Sequence, residues 1–199
     1  MTDPLSDELQ AFVFANRGLL LAAPAALLAA FGKPSAFSVA VGLPAAAAGE
    51  LLRCWAVGYS GETTRNDRVT AAKLVTSGPY AYVRNPLYLG NFITALGFTV
   101  AFTGKNSMLG RCALALGALG TMAGLYAAIV PHEEEYLRER FGDEFERYCE
   151  RVPRILPHVE PAPDGAQAWD PSVIANAESK TFVTFGAMLA LLALKSISA

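Results

Sequence analysis

Apolar residues in this chain come in long runs separated by short polar stretches, and they do not alternate with polar residues as a half-buried strand would require. A helix crosses a bilayer core of about 30 Å with roughly 20 mostly apolar residues, and each run can be measured against that length. Residues 108–130 carry one charge, Arg111, near their start and predict a spanning helix. Gly110, Gly117, Gly120 and Gly124 within it allow close helix packing. Residues 87–102, bounded by Pro86 and Gly104, predict a span of minimal length. Residues 12–31 contain Asn16 and Arg17, and residues 36–59 contain Pro44, Glu50 and Arg53, so both predict less regular spans. Residues 182–197 predict a last span, reached through a Pro- and Asp-containing loop over 157–171.

Residues 132–152 have a different pattern. An apolar stripe at Leu137, Phe141, Phe145, Tyr148 and Val152 recurs every three or four positions among charged neighbours, which predicts an amphipathic helix continuing beyond the fourth span. Glu134 with Arg138, and Arg140 with Glu144, are opposite charges four apart, worth a few tenths of a kcal/mol per pair on a helix surface. The predicted fold class is therefore all-α, a polytopic membrane helix bundle of about five spans with a cytoplasmic amphipathic helix.

Composition supports the membrane assignment: 53% of the 199 residues are apolar and 17% charged, more apolar surface than a soluble chain of this size can hide. The length predicts a single domain, residues 1–199. Sixteen basic and eighteen acidic residues give a net charge of −2, which argues against a nucleic-acid partner. Cys54, Cys112 and Cys149 are odd in number and lack CxxC spacing, so neither a disulfide framework nor a zinc site is expected. Asp3, Asp7 and Glu8 are the wrong charge for a secretory n-region, and the C-terminus offers no cysteine for prenylation. Basic residues concentrate in 60–84 and 132–180, which by the positive-inside rule places these segments and the N-terminus in the cytoplasm.

Candidate chemistry gathers in the two polar segments. Residues 78–90 read Gly-Pro-Tyr-Ala-Tyr-Val-Arg-Asn-Pro-Leu-Tyr-Leu-Gly, far more punctuation than a helix connection needs. Pro79 and Pro86 fix φ and push their predecessors towards extended backbone, predicting a rigid non-helical approach to the span. Gly90 permits close approach of a ligand or another backbone. Glu133 and Glu134, following Pro131, suit a helix N-terminus as acidic residues do. His132-Glu133 begins a HExxH zinc motif, but Tyr136 takes the place of the second histidine, so no metal is expected. Glu50 and Arg53 lie three apart within an apolar run, either as a mutually neutralising pair or as markers of a substrate path.

The pattern GPYxxVRxPxYxG followed by EExxxxxxFGxxFxxYxxxVxRxxP resembles the isoprenylcysteine carboxyl methyltransferase family and its phospholipid N-methyltransferase relatives. Glu133, Glu134, Phe141, Gly142, Phe145, Tyr148, Val152, Arg154 and Pro157 carry the second half, and residues 53–56 resemble the family's second span. The likeness covers roughly residues 50–157; the first and last spans match only as apolar segments. The family usually has Arg-His-Pro where this chain has Arg84-Asn85-Pro86, and Asn neither titrates near neutrality nor carries charge.

The resemblance implies an S-adenosylmethionine pocket formed by Tyr80, Tyr82, Arg84, Asn85, Pro86, Tyr88, Gly90, Glu133 and Glu134. It further implies Glu134, Arg154 and Arg84 at the reacting centre and Arg53, Arg151 and Arg154 towards a lipid-like substrate. Carboxylates suit the cofactor's ammonium and ribose hydroxyls, an arginine fork suits its carboxylate, and tyrosine rings suit adenine or the sulfonium. Prenylated cysteine carboxylates, phospholipid amines and small thiols all fit as acceptors. A sterol-reductase-like enzyme using NADPH would need more spans and a phosphate-binding basic cluster. A non-catalytic bundle would make the polar membrane residues structural or conductive.

Overall fold

The computed structural model describes residues 22–61, 73–163 and 167–197, and among these every regular element is helical. Helix α1 is Ala22–Phe31, α2 Ala36–Ser60, α3 Pro86–Phe102, α4 Met108–Ala115, α5 Thr121–Phe141, α6 Asp143–Arg151, α7 Ile174–Ala177 and α8 Ser179–Ile197. A π-helical turn at Leu116–Gly120 joins α4 to α5, so Met108–Phe141 is one continuous helix of 34 residues. Among the described residues, three helices are long and apolar enough to cross a membrane, namely α2, Met108–Phe141 and α8, and α1 and α3 are shorter apolar helices. The all-α membrane bundle is as predicted, and the expected limits of α2, α3 and α8 are met within three residues. Of the expected span at 12–31, residues 12–21 lie outside the described residues.

Two local expectations are corrected. Pro131 lies inside α5 and does not begin a new helix, so Glu133 and Glu134 occupy mid-helix positions. The amphipathic stretch 132–152 is also two helices, because Gly142 adopts φ 51° and ψ −126° between α5 and α6. A side chain would be strained in that conformation, and the helical ladder cannot continue through it.

The helices gather into two compact units: one drawn from residues 1–48, 92–129 and 183–199, the other from residues 49–91 and 130–182. The first has a core of Leu28, Ala46, Phe98, Ala101, Phe102, Ala118, Met188 and Leu192. Phe98 meets Phe185 edge-on with ring centroids 5.1 Å apart. Helices α2 and α3 approach closely there, where a Cβ on Gly97 would collide with the backbone of Gly42 and Ala46. Among the described residues, no atom lies within 4 Å of a Cβ built on Gly117, Gly120 or Gly124.

The second unit contains every residue singled out for chemistry. Its apolar core is Leu74, Phe145, Tyr148 and Val152, with Leu137, Phe141, Cys149 and Ala162 packed against it. This uses the stripe predicted for 132–152, with the turn at Gly142 bringing α6 to the same core.

Candidate active site

The signature segment begins with a 3₁₀ turn, Gly78–Ala81. Gly78 has φ 61°, and a Cβ there would strike the Tyr59 ring, so the turn accepts only glycine. The Tyr82 and Val83 amides donate to the Pro79 carbonyl at 3.1 Å, and α3 starts at Pro86, whose missing N–H costs a first helical turn nothing. The Tyr148 hydroxyl donates to the Tyr80 carbonyl at 2.7 Å, and the Arg84 amide donates to the Pro153 carbonyl at 2.8 Å. The segment is thus tied to α6 and to the chain that follows it.

The two halves of the sequence signature meet at one carboxylate. Glu134 Oε1 accepts from Arg84 Nε at 3.0 Å and from Asn85 Nδ2 at 3.2 Å. Glu134 Oε2 accepts from Arg154 Nε at 2.9 Å and Nη2 at 2.6 Å, and from Arg84 Nη2 at 3.3 Å. Arg84 also donates through Nη1 to the Cys149 and Val152 carbonyls at 3.2 and 2.7 Å, and Asn85 Nδ2 donates to the Arg154 carbonyl at 3.1 Å. A carboxylate offers about four lone-pair sites, so Glu134 is saturated by donors from this chain. Its side chain is 4% exposed, that of Arg84 11%, and that of Arg154 47%. Arg154 is therefore the member of the cluster most accessible from outside.

Burial alone would raise the Glu134 carboxyl, but the hydrogen bonds and charges of Arg84 and Arg154 outweigh it and hold the group below the ordinary carboxylate range. With Glu134 ionised, two guanidiniums and one carboxylate leave the cluster with one net positive charge.

One turn along α3, the Tyr88 hydroxyl donates to Glu133 Oε1 at 2.7 Å. Tyr82 stands against Trp55, with ring centroids 6.2 Å apart, and burial pushes the Tyr80 phenol up to about 12 while Ser60 hydrogen-bonds to it. Gly90 makes its close approach to α2: a Cβ there would lie 2.7 Å from Arg53 Cγ and 2.8 Å from the Gly49 carbonyl.

The structure separates the remaining arginines. Arg151 is exposed on α6, gives Nε to the Arg147 carbonyl at 3.0 Å, and lines a cavity of about 310 Å³ with Leu74, Thr76, Glu144 and Tyr148. Arg53 is buried and forms a bidentate pair with Glu178, with Nη2 2.7 Å from Oε1 and Nε 3.1 Å from Oε2. Arg138, expected to pair with Glu134, takes Glu135 and Glu146 at 2.6 Å each.

Sequence reading missed Glu178, Asn91 and Gln167. Asn91 Oδ1 accepts from Arg53 Nη1 at 2.8 Å, and Gln167 binds Ser77 and the Leu74 carbonyl. The signal available for Glu178 was an acidic residue at the mouth of an apolar run, which by itself selects no partner.

The profile of the phospholipid methyltransferase family matches residues 37–144. The protein-S-isoprenylcysteine O-methyltransferase of Schizosaccharomyces pombe is 34% identical over 117 residues, which cover 56% of this chain and 46% of the relative. Protein-S-isoprenylcysteine O-methyltransferase B of Arabidopsis thaliana is 32% identical over 115 residues, covering 56% of this chain and 55% of the relative. The cobalt-zinc-cadmium resistance protein CzcN of Cupriavidus metallidurans is 36% identical over 86 residues, 43% of this chain and 36% of that protein. The chain spans about half the length of the first two relatives, and no solved structure matches it. The profile covers more than half of the chain, including the signature segment and the glutamate pair that joins it at the site, and the chain belongs to the phospholipid methyltransferase family.

Proposed function

We propose that this protein is an integral membrane methyltransferase that takes its methyl group from S-adenosylmethionine and delivers it to a lipid-like acceptor, in the manner suggested by the names of its isoprenylcysteine methyltransferase relatives. The observation that carries the reading is the convergence of Arg84, Asn85 and Arg154 on Glu134 beside the Tyr88–Glu133 pair.

The donor set fits the cofactor in charge and in kind. Arg154 and Arg84, with one positive charge beyond what Glu134 neutralises, suit the carboxylate of its amino-acid end. Glu133 suits its ammonium or ribose hydroxyls, and the Tyr88 ring suits a cationic or aromatic face. When bound, the cofactor would supply an electrophilic methyl group on its sulfonium, which an aligned nucleophile takes as the S–CH3 bond breaks and the neutral thioether S-adenosylhomocysteine leaves. The protein's own contribution is then positioning and exclusion of water, and the buried, fully bonded Glu134 fixes the geometry of the two arginines around it. On this reading Glu134 organises the site and does not take a proton.

The acceptor is a prenylated cysteine carboxylate, with phospholipid amines and small thiols as the competing classes, and the concentration of basic residues in 60–84 and 132–180 supports a site on the cytoplasmic side. The test is incubation of the purified protein in nanodiscs with methyl-labelled S-adenosylmethionine and each acceptor class in turn. Label in a base-labile ester of the prenylcysteine supports the reading. Stabilisation by NADPH but not by S-adenosylhomocysteine would overturn it.

A further inference from the structure

The segment that follows the family-like core runs back along the signature segment. The His158 amide donates to the Tyr82 carbonyl at 3.0 Å, and the Ala162 amide to the Ala81 carbonyl at 2.9 Å. The Gln167 amide donates to Ser77 Oγ at 3.2 Å, while its side chain accepts from Ser77 Oγ at 2.5 Å and donates to the Leu74 carbonyl at 3.0 Å. The Asp170 amide donates to the Gly58 carbonyl at 2.8 Å, with the Trp169 indole packed directly on Gly58. Each successive contact of this segment falls further upstream, from residue 82 to 74 and then into α2. At its end Glu178, between α7 and α8 and 1% exposed, grips Arg53.

Arg53 links two sets of partners. Nε and Nη2 face Glu178, with Thr181 Oγ1 a further acceptor of Nη2 at 3.4 Å. Nη1 faces α3, donating to Asn91 Oδ1 at 2.8 Å and to the Leu87 carbonyl at 3.4 Å. A guanidinium is planar and rigid, so a carboxylate that fixes one edge fixes the direction of the other. The stem of Arg53 also supports α3 at Gly90, where no side chain would fit. The turns of α3 held in this way, residues 87–91, include Tyr88 and closely follow Asn85.

We propose that Glu178 is a positioning residue for the methyl-transfer site: by orienting Arg53 it sets the first turns of α3 and with them Tyr88 and Asn85, so the C-terminal segment beyond the family-matched residues is a working part of the enzyme. This rests on the methyltransferase reading for its kinetic consequence but not for its structural one. A buried carboxylate that served only to neutralise Arg53 could be matched by any charge-conserving arrangement; one that aims the guanidinium requires both the fork and the carboxylate.

The experiment uses the full chain in nanodiscs and compares wild type with Glu178→Gln, Glu178→Asp and Arg53→Lys. The expected result is a rise of about tenfold or more in the KM for S-adenosylmethionine with a smaller change in kcat, and faster amide exchange at residues 87–91 with residues 188–192 unchanged. Arg53→Lys keeps the charge and is expected to fail in the same way, because an ammonium cannot bond both partners in one plane. Should Glu178→Gln not fold, Glu178→Asp is expected to give the same KM-weighted defect in milder form. Wild-type KM and wild-type exchange at residues 87–91 in folded Glu178→Gln or Glu178→Asp would overturn the proposal and leave Glu178 as an anchor of α8 alone. If wild type neither binds nor uses S-adenosylmethionine, the functional reading falls, while the exchange comparison still decides the coupling.

Discussion

Arg154 and Glu134 are twenty residues apart in sequence, and both Nε and Nη2 of the arginine lie within 3 Å of a single carboxylate oxygen, at 2.9 and 2.6 Å. The oxygen they share also receives Arg84 Nη2 at 3.3 Å, so the charge between the two guanidiniums offsets their mutual repulsion. Replacing Glu134 with Gln removes that charge and leaves the two cations facing each other, at a cost on the order of 3 kcal/mol. For a chain of this length that corresponds to a fall in Tm of roughly 6–12 °C, measured by thermal unfolding in detergent. Arg154→Ala should cost less, about 1 kcal/mol or under, because its side chain is half exposed and screened.

The same carboxylate predicts an acid limit. Its folded-state pKa lies below the ordinary value because the two arginines outweigh burial. A depressed carboxylate contributes stability that is present above its unfolded pKa of about 4.3 and is lost as pH falls through the folded value. The Tm difference between wild type and Glu134→Gln should therefore be constant from neutrality down to about pH 5 and shrink below it. A difference that stays constant down to pH 3 would show that Glu134 is not the titrating group.

Much of this site could be read from the chain because its parts are local. Pro79, Pro86 and Gly78 fix backbone geometry wherever they stand, and the spacing of Phe141, Phe145, Tyr148 and Val152 marks a buried face whether or not a glycine divides the helix. Partner choice could not be read in the same way. Glu134 has Arg138 at the ideal helical spacing, yet it pairs with Arg84 and Arg154, because burial rewards saturation of a carboxylate far more than a surface pair rewards proximity. Arg53 and Glu178 show the extreme case, 125 residues apart with nothing in either neighbourhood naming the other.

Asn85 occupies the position where the resemblance implies histidine, and it bridges Glu134 Oε1 and the Arg154 carbonyl with one amide nitrogen. Asn85→Ala should remove one donor from each acceptor and reduce kcat/KM by roughly tenfold to a hundredfold. Asn85→His restores one N–H donor and adds a group that titrates near pH 6.5. Its activity should stay within about tenfold of wild type at pH 8, and its kcat/KM profile should gain an inflection near neutrality that wild type lacks. A histidine variant with a flat profile would mean that this position does not reach the site.

Tyr88 and Tyr148 provide a matched pair for separating the site from the scaffold. Each gives its hydroxyl to an acceptor at 2.7 Å, Tyr88 to the Glu133 carboxylate and Tyr148 to the Tyr80 backbone carbonyl. The first bond is charge-assisted and lies beside the proposed cofactor site; the second is neutral and belongs to a side chain 5% exposed in the core with Phe145 and Val152. Removing a hydroxyl that bonds to a charged group costs about 1.5–3 kcal/mol, and one that bonds to a neutral carbonyl about 0.5–1.5 kcal/mol. Tyr88→Phe should therefore lower Tm and also raise the KM for S-adenosylmethionine by about tenfold to a hundredfold, because Glu133 loses a donor that orients it. Tyr148→Phe should lower Tm by a few degrees and leave that KM within about twofold. Measuring Tm and cofactor KM on both variants gives a KM change confined to Tyr88→Phe if the site lies where Tyr88 and Glu133 meet, and equal KM values in the two variants would place it elsewhere.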